Sequence, residues 1–142
     1  RGYVTRKALE GVHRELQRRL RSESAALDAV YYCPHHPDAA CRCRKPELGM
    51  IKAAQKRFNI DLKSSFFIGD STSDMQTARN AGVSGVLVRT GKGGRDGRYR
   101  VRPVRRCRNL FTAARWIVRQ APRPILSAAR AMPGIKHGGR RA

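Results

Sequence analysis

Between Thr5 and Leu20 the apolar residues Ala8, Leu9, Val12, Leu16 and Leu20 recur close to every 3.6 positions, and charged residues fill the opposite face. That period predicts an amphipathic helix, with the Thr5 hydroxyl placed to accept from one of its unpaired first-turn amides. Ala29-Val30-Tyr31-Tyr32 is β-prone and predicts a short strand that delivers Cys33 to its carboxyl end. Met50, Ile51, Ala54 and Phe58 return to helical spacing. Ser65-Phe66-Phe67-Ile68-Gly69 then reads as a buried strand ending in Asp70, a third helix is predicted from Asp74 to about Ala81, and Gly85-Val86-Leu87-Val88-Arg89 reads as another strand. This rhythm predicts a three-layer α/β fold around a parallel sheet. Ligands of such sheets sit off the carboxyl ends of the strands, where Cys33, Asp70 and Thr90 all fall.

The pattern changes near Gly91. Gly91-Lys92-Gly93-Gly94 leads into an Arg-rich run to Arg108, one helix predicted over about 109–120, and a stretch rich in Pro, Gly and Arg. The chain is therefore divided into residues 1–94, an α/β unit, and residues 95–142, a basic C-terminal extension expected to be peripheral. Charge follows the same division: residues 1–90 carry a net +7, and residues 91–142 a net +14 with Asp96 as their only acid. Such a tail could bind nucleic acid, a membrane surface or an acidic partner. A solvated basic tail is the preferred reading, because charge alone specifies no groove and the aromatics are few. No apolar run approaches the roughly 20 residues a membrane-spanning helix needs, so no membrane span is expected.

Cys33-Pro-His35-His36 and Cys41-Arg-Cys43 place two donor pairs within eleven residues. Residues two apart in extended backbone project to the same side, so each pair can reach one ion. Three thiolates and an imidazole suit tetrahedral Zn²⁺, and four protein ligands leave no open position, which makes a structural zinc the expectation. Disulfides fit poorly, since no secretory signal is evident and a ring between Cys41 and Cys43 would be strained. His36, next to a ligand, is assigned a solvated or supporting role, and Cys107 is read as a plain thiol.

Gly69-Asp70-Ser71-Thr72-Ser73-Asp74 puts two carboxylates at a strand's carboxyl end, one helical turn apart. Both could offer hard oxygens to Mg²⁺, or either could cap the following helix. Arg44-Lys45 near the same edge favours the first reading, because a magnesium ion beside a fixed ammonium offsets the charge of a transferring phosphoryl group. A solvated basic pair is the alternative, and Pro46 argues mildly against it by stiffening the chain.

Tyr31-Tyr32-Cys33-Pro34-His35-His36-Pro37, Cys41-Arg42-Cys43-Arg44-Lys45-Pro46, Gly49-Met50, Ile68-Gly69-Asp70 with Asp74-Met75, and Leu87-Val88-Arg89-Thr90-Gly91-Lys92 together resemble the zinc-bearing phosphatases of the haloacid dehalogenase superfamily. The resemblance runs from Arg1 to about Gly94 and more weakly through the Asn109 helix. It implies a Rossmann-like fold of the haloacid dehalogenase type, with Cys33, His35, Cys41 and Cys43 on zinc and Asp70 on magnesium. Asp74 is a weaker magnesium candidate. Lys45 is implied to stabilise the phosphoryl group, Arg44 to recognise substrate, and Ser71 to touch it. The doubled His35-His36, the opening Arg1-Gly2-Tyr3 and the Arg89-Thr90-Gly91-Lys92 ending imply removal of the 7-phosphate from D-glycero-D-manno-heptose 1,7-bisphosphate, in surface-glycan precursor synthesis. Histidinol phosphate is the alternative substrate, and a non-enzymatic zinc-stapled module binding a polyanion is the reading from a different class. A cytoplasmic monomer acting on a small sugar phosphate is implied.

One departure matters more than the matches. The family's nucleophile and general acid/base are the aspartates of an Asp-x-Asp motif, and no Asp-x-Asp occurs in these 142 residues. Without an attacking carboxylate the covalent route is closed, so an inactive, N-terminally truncated fragment is expected. The resemblance also implies two absent strands between the one ending at Tyr32 and the one beginning near Ser65, leaving a gap in the sheet.

Overall fold

The computed structural model describes residues 4–36 and 38–120. Arg1-Gly2-Tyr3 and the Pro-, Gly- and Arg-rich stretch after Gln120 lie outside the described residues. Local sequence sets the helices. The first, α1 (Arg6–Ser22), is capped as expected, with Ala8 N donating to Thr5 Oγ1 at 3.2 Å. Next come α2 (Gly49–Phe58), closed by Asn59 at φ 49°, and α3 (Thr72–Ala81). The last, α4 (Leu110–Gln120), begins where Asn109 and Thr112 exchange bonds of 3.1 and 3.0 Å.

Three strands form one parallel sheet in the order β1 (Phe66–Gly69), β2 (Ser84–Val88), β3 (Arg105–Cys107). Ile68 lies opposite Val86, and Val88 opposite Cys107. Strand alternation sends Phe66, Ile68, Val86 and Val88 to one face, where Ala113, Trp116 and Ile117 of α4 cover them together with Cys107. Phe66 meets Trp116 edge to face, with centroids 5.7 Å apart. The opposite face receives α3 so closely that a Cβ on Gly85 would lie 3.1 Å from the Ala78 methyl. Helices on both faces of a parallel sheet make the expected three-layer α/β architecture.

Three expectations are corrected by the fold. Ala29–Tyr32 forms no strand, because among the described residues no neighbour offers it a ladder, and Tyr31 and Tyr32 stay exposed. Every residue of β1 is half-buried rather than buried, since β2 pairs with only one of its edges. β3, unassigned from sequence, forms within the Arg-rich run, where Val104 N donates to Gly85 O at 2.8 Å and Arg89 N to Cys107 O at 3.0 Å. Two arginines in a three-residue strand mask any β pattern, and the free edge of β2 recruits it. Cys107 is thereby a buried core thiol. The face of α1 remains uncovered: none of its residues is buried, and Val12 is 63% exposed.

Candidate functional site

Four donors converge in the loop before α2. Cys33, His35, Cys41 and Cys43 each bring one ligand atom within 4.8 Å of the others. The sulfurs stand 3.2 to 3.5 Å apart, and His35 Nδ1 lies 3.1 Å from Cys43 Sγ. Metal–sulfur bonds of about 2.3 Å in a tetrahedron separate the sulfurs by about 3.8 Å, so a zinc ion would move them outward by only a few tenths of an ångström. Thiols crowded in this way cannot all ionise. Cys43 is pushed up to about 12 by its bond to Cys33, by burial and by the neighbouring sulfurs; at Cys41 burial acts in the same sense, but bonds from Cys33 and Cys43 bring it down to about 6. A divalent cation removes that conflict, so the donor set fits one ion. His36 stays outside it, exposed and 3.1 Å from Asp38.

Two bonds shape the loop, one within it and one to α2. Arg44 donates to the His35 carbonyl, while its Nε is buried with no protein partner. Gly49 N donates to Arg42 O at 2.9 Å, and a Cβ at Gly49 would come 2.6 Å from that same oxygen. Only glycine allows the first turn of α2 this close to the loop. The connection carries Lys45 to the sheet edge.

There Lys45 Nζ lies 2.6 Å from Asp74 Oδ1 and 6.0 Å from the centre of the Phe67 ring. The sequence offers Asp74 either as a weak second magnesium ligand or as a helix cap, and its bonds in the fold are those of a cap. Its Oδ2 accepts from Ser71 Oγ at 2.7 Å, Ser71 N at 3.0 Å and Asp70 N at 3.1 Å, while Asp74 N donates to Ser71 Oγ. This is a reciprocal capping box on α3, so the capping alternative describes Asp74. Burial works against ionisation of Asp74, but the bonds from Lys45 and Ser71 outweigh it and hold the carboxyl below its ordinary value. The hydroxyl hydrogen of Ser71 is likewise engaged, within the cap.

Asp70, at the carboxyl end of β1, is arranged otherwise. Its Oδ2 accepts from Lys92 N at 2.8 Å and its carbonyl accepts from Gly94 N at 2.8 Å. Among the described residues no donor meets Oδ1, which leaves one hard oxygen of Asp70 without a hydrogen-bond partner there. Gly91 makes this possible: its φ is +66°, and a Cβ there would lie 2.2 Å from Asp70 Oδ2. A carboxylate oxygen with no hydrogen-bond partner is the kind of hard ligand that a small dication takes.

Asp96 was missed by the sequence reading. It accepts from Thr72 N at 2.8 Å and from Thr72 Oγ1 at 2.7 Å, across 24 residues. The available signal was that Asp96 is the only acid after Asp74.

Residues 42–112, half of the chain, match the model of the HAD-hydrolase-like family. The chain is 40% identical over 95 residues to D-glycero-beta-D-manno-heptose-1,7-bisphosphate 7-phosphatase of Pseudomonas putida, covering 67% of this chain and 54% of that one. It is also 40% identical over 100 residues to the enzyme of the same name from Escherichia coli, covering 65% and 52%. The chain thus spans about half the length of these enzymes. The crystal structure of D,D-heptose 1,7-bisphosphate phosphatase from B. bronchiseptica, complexed with magnesium and phosphate, aligns with a TM-score of 0.74 at 34% identity, over 82% of this chain and 66% of that one.

Proposed function

We infer, because the chain belongs to the haloacid dehalogenase-like hydrolase family, that it carries the phosphate-facing part of a magnesium-dependent phosphomonoesterase acting on the 7-phosphate of D-glycero-D-manno-heptose 1,7-bisphosphate. The observation that carries this reading is the Lys45 ammonium, held 2.6 Å from buried Asp74 one turn beyond Asp70 at the carboxyl end of β1. Magnesium, held by Asp70 Oδ1, would supply charge neutralisation at the phosphoryl oxygens. Lys45 faces the same oxygens, and Asp74, locked by Ser71, keeps the ammonium from swinging into solvent. Arg44 serves substrate recognition from the edge of the zinc loop. The zinc is structural, and the setting is a cytoplasmic monomer with a small sugar phosphate as its partner. In the described residues no helix is long and apolar enough to cross a membrane.

The 142 residues contain no Asp-x-Asp pair, so on their own they are expected to release no phosphate. Joined to an N-terminal segment that supplies the family's Asp-x-Asp motif, they are expected to release the 7-phosphate only when Mg²⁺ is present. A phosphate-release assay checks both arms. Turnover by the chain alone sinks the division of labour proposed here, and a joined enzyme preferring histidinol phosphate transfers the function to that substrate.

A second reading is favoured by one cleft. Arg105, Arg115 and Arg119 line a space of about 270 Å³ beside Trp116, with the Arg105 guanidinium 5.9 Å from the indole centre. From Gly97 to Gln120 there are eight arginines and no acid, so nothing in that stretch neutralises them. Arginines around a half-buried indole form a basic surface of the kind single-stranded nucleic acid uses. Binding of a labelled oligonucleotide is expected to weaken steeply between low and physiological salt, and to weaken further in the exposed-residue variant Arg115→Ala. Salt-independent binding would exclude this reading.

A further inference from the structure

The loop that wraps Asp70 is tied to α3 through Asp96, a side chain that makes no hydrogen bond to Asp70. Residues 89–99 leave β2, pass Asp70 through Gly91, Lys92 and Gly94, and return to the amino end of α3. Two backbone donors of this loop orient Asp70: Lys92 N on Oδ2 and Gly94 N on the carbonyl. A loop with Gly91, Gly93, Gly94 and Gly97 all at positive φ has little intrinsic stiffness, because glycine is the residue that loses most freedom on ordering. Something must hold it. Within the loop, Arg95 N donates to Lys92 O at 3.0 Å. Across to α3, Asp96 takes both the Thr72 amide and the Thr72 hydroxyl, and Tyr99 N donates to Thr72 Oγ1 at 3.2 Å.

We propose that Asp96 is a positioning residue: by anchoring the glycine loop to the amino terminus of α3, it fixes the Lys92 and Gly94 amides that aim Asp70 at the crevice. The favourable location of a carboxylate at a helix amino terminus supports the anchor, since the Thr72 N–H there has no partner within the helix. Selection of partner supports it too. Ten cations lie between residues 91 and 120, yet Asp96, the one acid in that stretch, binds Thr72 with both oxygens. Partial burial opposes its charge, but the bonds from the Thr72 amide and hydroxyl still hold the carboxyl below its ordinary value. Because Asp70 is the residue assigned to magnesium, the consequence for metal rests on the function proposed above, whereas the consequence for the loop does not.

Amide hydrogen exchange and magnesium titration on the whole chain separate the two. Asp96→Ala is expected to speed exchange at Lys92 and Gly94 by about tenfold or more, as the loss of the anchoring bonds requires, while the core amides of Val86 and Val88 keep their protection. Magnesium affinity is expected to fall severalfold, with zinc content unchanged. Asp96→Asn, which keeps an acceptor for the Thr72 amide, is expected to fall between alanine and the parent, and serves as the test should the alanine variant not fold. Unchanged exchange at Lys92 and Gly94 overturns the proposal. So does loss of protection spread equally over Val86 and Val88, which makes Asp96 a general stability residue. If the parent chain binds no magnesium, the metal reading of Asp70 fails, and the exchange rates alone still decide whether Asp96 anchors the loop.

Discussion

In the joined enzyme, Lys45→Ala is expected to lower turnover by about 10²-fold to 10³-fold, the usual cost of losing one preorganised group that meets developing charge. Asp70→Asn is expected to reach a similar loss by a different route, because an amide oxygen is a weaker partner for a hard dication than a carboxylate. The two variants are separable. Raising the magnesium concentration should recover part of the Asp70→Asn activity and none of that of Lys45→Ala. Fold stability also divides the effects: Lys45→Ala leaves Asp74 buried without its cation, yet Ser71 and the Asp70 amide still bind Oδ2. Since Lys45 is 43% exposed, water takes over part of its role, and the stability cost stays below the roughly 3–5 kcal/mol of a fully buried pair. Initial rates of phosphate release, measured beside a thermal melt, check this. A Lys45→Ala enzyme with parental turnover would remove the ammonium from the reaction.

Removing zinc is expected to have the largest effect on structure. One zinc per chain is predicted by elemental analysis, and Cys41→Ser or a strong chelator should release it and lower the melting temperature. Apparent binding energies for structural zinc sites run at about 10–16 kcal/mol, and that energy is folding energy for the residues it staples. The loop has little else to hold it, because Cys33, Cys41 and Cys43 are only partly buried and His35 is exposed. Loss should spread to Lys45, since Arg44 reaches the His35 carbonyl and Gly49 the Arg42 carbonyl. A chain without zinc, or a Cys41→Ser protein with unchanged zinc content and melting temperature, would defeat the assignment. Activity in the joined enzyme should fall along with zinc even though the proposed reaction assigns the zinc no chemical step.

Features that depend on neighbours in sequence were legible. The Thr5 cap, the periodicity of α1 and α2, the Cys33–Cys43 donor spacing and the placement of Asp70 at the end of a β run all follow from local geometry, because a helix or a two-residue extended spacing brings its own residues together without help from elsewhere. Asp74 was half legible: Ser71-Thr72-Ser73-Asp74 carries the capping-box spacing, but the choice between cap and metal ligand turned on Ser71 and on Lys45, 29 residues away. The rest was decided by tertiary structure. Ala29–Tyr32 has strand propensity and no ladder partner among the described residues, whereas Arg105–Cys107 has poor propensity and becomes a strand because the edge of β2 is open to it. A strand is made by its neighbour's hydrogen bonds, and residue preference is only a weak prior for it. The anchor from Asp96 to Thr72 follows the same logic, since only the packed fold brings an acid from the basic segment to the amino end of α3.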